Sequence, residues 1–88
     1  MPTETDQTPE EAFLEWVDKN PLRRWRHAKK ISIMRAAVAL DVTMTTIQVW
    51  ERGSATPSEE NMAKLEEVVG NGTSRAWTRW ANKQPEVV

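Results

Sequence analysis

Ser32 and Thr43 each stand immediately before a run with helical apolar periodicity. That position puts a hydroxyl and several unpaired backbone N–H groups at a helix start, a ready site for a phosphate oxygen. Arg35 lies one turn into the run after Ser32. Thr46 lies one turn into the run after Thr43, and Arg52 and Ser54 follow that run. These six side chains are the candidate phosphate contacts. Arg23, Arg24, Lys29 and Lys30 add positive charge just upstream. Catalytic chemistry has little to work with. There is no cysteine, and the single histidine, His27, reads as a surface helix residue. No nucleophile–base pair, metal-ligand spacing or glycine-rich phosphate loop is present. The expectation is therefore no catalytic residue, no metal, no cofactor and no small-molecule ligand.

The whole-chain charge of -1, from 12 Lys+Arg and 13 Asp+Glu, argues at first against a polyanionic partner. The distribution along the chain reverses that weight. Residues 21–52 carry seven bases against Asp41 and Glu51, a local charge of +5. Residues 1–20 carry six acids against Lys19, and residues 53–72 carry four acids against Lys64. A basic block flanked by acidic ones gives one attractive face and repulsive surroundings. Such charges also suit merely solvated helix faces.

The elements that hold these residues are punctuated clearly. Residues 1–8 form a polar tail ending on Thr8, the N-cap of a helix with Pro9 in its first turn. Phe13, Trp16 and Val17 form its apolar stripe, widened by Ala12 and Leu14. Asn20-Pro21 ends that helix and starts a second with Leu22 and Trp25 inward. Ser32 opens a third, where Met34, Ala37 and Val38 or Leu40 supply apolar contacts. Asp41 follows in a left-handed turn. Thr43 caps a fourth, with Ile47 and Trp50 inward and Gly53 at its end. Ser58 opens a fifth with Met62, Leu65, Val68 and Val69. After Gly70-Asn71-Gly72, Thr73 or Ser74 starts a sixth with Trp77, Trp80 and Ala81. No alternating strand pattern survives. Length allows one modest core, so residues 9–83 are expected to form one all-α domain, with 84–88 a tail. No apolar run reaches membrane-spanning length and no basic-then-apolar leader is present. The chain is expected to be soluble and cytoplasmic, without a membrane partner.

From Ser32 to Gly53 the pattern is helix, short turn, helix, with Val42 as the apolar plug and small Ala37 permitting close approach. This is the helix-turn-helix arrangement, whose second helix can enter a DNA major groove. Residues 22–70 resemble the lambda-repressor-like, Cro-type helix-turn-helix domain. The match runs Leu22-x-x-Trp25-Arg26, then Ile31-Ser32, then Ala37 and Leu40. It continues Val42-Thr43-x-x-Thr46-Ile47-x-x-Trp50-Glu51-Arg52-Gly53, with Pro57, Leu65 and Gly70 following. The fold it implies is a five-helix repressor-like domain, here with an additional N-terminal helix.

The resemblance implies roles. Arg26 and Glu51 are expected to form a semi-buried salt bridge clamping the second helix to the recognition helix. Met44, Thr45 and Val49 fall at base-reading positions, with Gln48 beside them. The family usually carries Gln, Arg or Lys there, whereas Met44 and Val49 can only contact a thymine methyl. Ile33 replaces a Gln that often contacts phosphate. The surface could instead dock a protein. Trp50 is expected in the core rather than stacked on a base. In similar proteins the last helix supplies a two-fold contact, so Trp77 and Trp80 are candidate dimer anchors. Their packing against Trp16 is the alternative. The Phe13/Trp16/Val17 stripe likewise faces its own domain or a second copy. The function implied is a sequence-specific transcriptional regulator bound to double-stranded operator DNA. The short chain points to a Cro-like phage or plasmid repressor, with an antitoxin-like or adaptor module as the alternative.

Overall fold

Five of the six helices among the described residues begin on a side chain that caps its own first turn. The computed structural model describes residues 7–85. Thr8 opens α1 (Pro9–Asp18) with a capping box: its hydroxyl accepts from Glu11 N–H, and the Glu11 carboxylate accepts from Thr8 N–H. Asn20 opens α2 (Pro21–Ala28), Ser32 opens α3 (Ile33–Leu40), Thr43 opens α4 (Met44–Glu51) and Ser58 opens α5 (Glu59–Val68). Each accepts from the backbone N–H three residues on. α6 (Thr73–Ala81) begins on Gly72, which has no side chain to offer. Its cap comes from α5, where the Glu66 carboxylate accepts from Ser74 N–H at 2.6 Å and from Gly72 N–H at 3.0 Å. Those two bonds, with Arg75 as a lesser contribution, hold the Glu66 carboxyl below the usual glutamate range.

Three helix ends close alike, on a left-handed residue followed by a six-to-one backbone bond. At α2 the left-handed residue is Lys30 and Ile31 N–H donates to Arg26 O; at α3 it is Asp41 and Val42 N–H donates to Ala37 O. At α4 it is Gly53, and Ser54 N–H donates to Val49 O. Glycine is required at this last position twice over. Its φ is +75°, and a Cβ there would collide with the Trp16 ring and crowd Trp80.

All six helices contribute to one core. Leu22, Ala36, Ile47 and Leu65 are fully buried, with Leu40, Trp50 and Trp77 nearly so. α1 lies on its own domain through Trp16 and Val17, the intramolecular one of its two expected placements. No strand occurs among the described residues, and no helix among them is long and apolar enough to cross a membrane.

Several sequence expectations need correction. Trp77 and Trp80 do not form a surface for a second copy: they are 2% and 5% exposed. Trp80 stacks on Trp16 at 4.0 Å between ring centroids, and Trp77 meets the edge of Trp80. The resemblance suggested a two-fold contact there, with packing against Trp16 as the alternative, and it is Trp16 of α1 that covers them. Met34 and Val38 point outward, at 60% and 76% exposed. α3 turns Ala36, Ala37 and Leu40 inward instead, since small residues let α4 approach closely. Leu14 and Ala81 are also exposed. The proposed tails fall largely on residues 1–6 and 86–88, outside the described residues. Within the described part, Thr8 is engaged as a cap and Gln7 donates to Glu15.

Candidate nucleic-acid interface

α3 and α4 meet across Asp41-Val42, with the half-buried Val42 packed against the core. Ala36 and Ala37 of α3 and Ile47 of α4 share one core there, all at or below 4% exposure. α4 thereby divides into two arcs. Ile47, Trp50 and Glu51 are turned inward. Met44, Thr45, Gln48 and Arg52 lie exposed on the opposite arc, with Val49 half-buried at its edge. At 100° per residue these five side chains form one continuous face along the outside of the helix.

The C-terminal end of α4 is fastened by polar bonds from two directions. Arg26 Nε donates to Glu51 Oε2 at 2.8 Å and Arg26 Nη2 donates to Oε1 at 3.0 Å, a bidentate pair. The same guanidinium donates to Ile31 O through Nη1. Both partners are buried, so the pair is shielded from water and salt. Arg23 adds a longer bond to Glu51 at 3.4 Å while holding Asp18 at 3.0 Å, which ties α1, α2 and α4 together. Asn20 is wholly buried. Its Oδ1 caps α2 and its Nδ2 donates to Trp50 O at 3.4 Å. Every buried side-chain nitrogen and oxygen among the described residues has a partner.

The candidate phosphate residues occupy both ends of the motif. Ser32 and Thr43 use their oxygens to accept backbone N–H bonds, at 3.1 Å each, which leaves the Ser32 hydroxyl hydrogen to donate outward. Thr46 is half-buried and shares a hydroxyl–hydroxyl bond with Thr43 at 2.9 Å, so one of the two hydroxyl hydrogens is used between them. Arg35, Arg52 and Ser54 are exposed. Of the upstream bases, Lys29 and Lys30 are exposed beside the start of α3. Arg23 is committed to Asp18 and Glu51. Arg24 turns the other way, into a groove between α1, α2 and α6 that Lys19, Arg79 and Lys83 also line.

Sequence reasoning missed two positioning residues. Asn20 was visible only as a helix cap and Arg23 only as a charge. The contacts that make them matter to α4 join segments 28 and 30 residues apart.

A family model described as helix-turn-helix matches residues 22–74, more than half of the chain. No curated protein and no solved structure matches the chain.

Proposed function

The chain belongs to the lambda-repressor-like, Cro-type helix-turn-helix family of DNA-binding transcription regulators, and from that premise we propose that it is a small Cro-like repressor of phage or plasmid origin. It would act by occupying an operator in double-stranded DNA and so occluding a promoter. The observation that carries this reading is the two-arc division of α4, with Glu51 and Trp50 anchored inward and Met44, Thr45, Gln48 and Val49 turned out together. A helix held rigidly at one end and presenting one face is what base reading in a major groove requires. Ser32, Arg35, Thr43, Thr46, Arg52 and Ser54 would set the register on the backbone.

The protein would work in the cytoplasm, where such DNA is accessible, without cofactor or catalysis. As a homodimer it would place two recognition helices roughly 34 Å apart on a near-palindromic site. Selection of bound duplexes from a random library tests the proposal. Enrichment of a common sequence supports an operator-specific regulator, and failure to enrich any sequence contradicts it.

A second reading, an antitoxin-like or adaptor module, is favoured by one observation. The groove between α1, α2 and α6 gathers Lys19, Arg24, Arg79 and Lys83 against one carboxylate, Glu15, which suits an acidic protein partner. The apolar Met44 and Val49 would then serve as a protein contact.

A further inference from the structure

Met44 is the first residue of α4 and is 47% exposed, although nothing in its own fold needs an apolar side chain there. Recognition helices approach the base edges with their N-terminal residues, so Met44 leads. Gln48 follows one turn later on the same face, with Val49 at its edge. The rise from Met44 to Gln48 is about 6 Å, close to two base-pair steps. Before Arg52, at the far end of the helix, this face carries no cation and no carboxylate.

The major groove offers an apolar side chain one apolar feature, the C5 methyl of thymine. Against guanine O6 and N7 or cytosine N4, Met44 and Val49 would cover a polar edge without bonding it, which is unfavourable. The unbranched, polarizable thioether of Met44 can follow a methyl whose position varies by an ångström or so. Gln48 is suited to adenine N6 and N7. All three preferences therefore point to A·T pairs, and two of them point to a single chemical group.

We propose that this chain recognises the pyrimidine 5-methyl group in the major groove, so that thymines define its site and 5-methylcytosine is preferred over cytosine at the same positions. The inference rests on the DNA-binding reading above. Deoxyuridine provides the probe, because it keeps the pairing and every hydrogen-bonding edge of thymine and lacks only the methyl.

The test uses the full chain and a duplex enriched from a random library at low salt, with binding followed by fluorescence anisotropy. Expected is a loss of roughly four-fold in affinity for each contacted thymine replaced by deoxyuridine, the equivalent of about 0.8 kcal/mol for one buried methyl. Methylating a cytosine placed at the same position should raise affinity by a similar factor. In Met44→Ala the thymine-to-uracil ratio should fall towards one at one position, and in Val49→Ala at a neighbouring one. Met44 is exposed, so its variant keeps the fold. Equal affinity for thymine and uracil duplexes throughout overturns the methyl inference and leaves DNA binding standing. Ratios that persist in both variants also overturn it. Failure to retain any duplex overturns this inference together with the reading it rests on.

Discussion

The indole N–H of Trp16 donates to the backbone carbonyl of Trp80 at 2.6 Å, and the indole N–H of Trp80 donates to the carbonyl of Trp16 at the same distance. The two rings stack 4.0 Å apart and 2° from parallel. Both carbonyls lie in the last turn of their helices, where each also accepts a backbone N–H, Lys19 on Trp16 O at 3.0 Å and Lys83 on Trp80 O at 3.1 Å. Each tryptophan thus adds a second bond at the end of the other's helix while covering the other's ring. The pair stands directly against Gly53, which closes α4, so it also backs the end of that helix.

Removing one N–H from this pair should be costly out of proportion to the change in size. Trp16→Phe keeps most of the buried aromatic surface but leaves Trp80 O without its indole donor. Trp80 O keeps its bond from Lys83 N–H, so the loss expected from the missing indole bond is about 0.5–1.5 kcal/mol. For a domain of this length that lowers the melting temperature by roughly 4–8 °C per kcal/mol, measurable by circular dichroism. A melting temperature within a degree of wild type would mean that the reciprocal bonds contribute nothing.

Glu51→Gln tests the clamp on α4. The amide keeps the shape of the side chain but leaves the Arg26 guanidinium buried beside a neutral partner. Breaking such a pair from one side costs about 3–5 kcal/mol. The lower end is expected here, because the partly exposed Arg23 loses less. Chemical denaturation should report the stability loss, and DNA affinity should fall with it because α4 loses its anchor. Unchanged stability and affinity would remove the clamp from the mechanism.

Glu66 links α6 to acidity. Its carboxyl is held below the ordinary glutamate value of 4.5 by its bonds to Ser74 and Gly72. A depressed folded-state value means that the stabilisation is fully present above pH 4.5 and is lost as pH falls through the lower, folded value. Tryptophan fluorescence should therefore report loosening of α6, through Trp77 and Trp80, below about pH 4.5. Glu66→Gln has no proton to gain, so the variant should lose this part of the acid transition. Identical acid profiles for the two proteins would show that the cap does not hold α6.

Much of this architecture was legible in the sequence because its determinants are local. Thr8, Asn20, Ser32, Thr43 and Ser58 cap helices through bonds spanning three residues, and Asp41 and Gly53 end them through their own backbone preferences. The inward faces of α2 and α4 followed from unambiguous spacing at Leu22, Ile47 and Trp50. α3 did not, because Ile33–Leu40 is apolar at nearly every position and its periodicity does not choose a face. There the decision falls to α4, which packs onto alanines rather than onto Met34 and Val38. The Trp16–Trp80 pairing joins residues 64 apart. Sequence alone left those tryptophans two possible partners, a second copy or each other. The Glu66 cap was hidden for a similar reason: Gly72 signals only a break, and its cap lies on the preceding helix.

The proposed role of the α3–α4 face is to bind DNA through phosphate and base contacts. It is tested most directly by measuring the affinity of the full chain for an enriched duplex from 50 to 200 mM salt. Lys29, Lys30, Arg35 and Arg52 are the exposed cations of this face. At about 0.9 counterions released per phosphate neutralised, four contacts give a log–log slope of about −3.6 and roughly a hundredfold loss across that range. Arg35→Ala should reduce the magnitude of the slope by about one. Absence of binding at 50 mM, or binding that does not vary with salt, would contradict the assignment of this face to DNA.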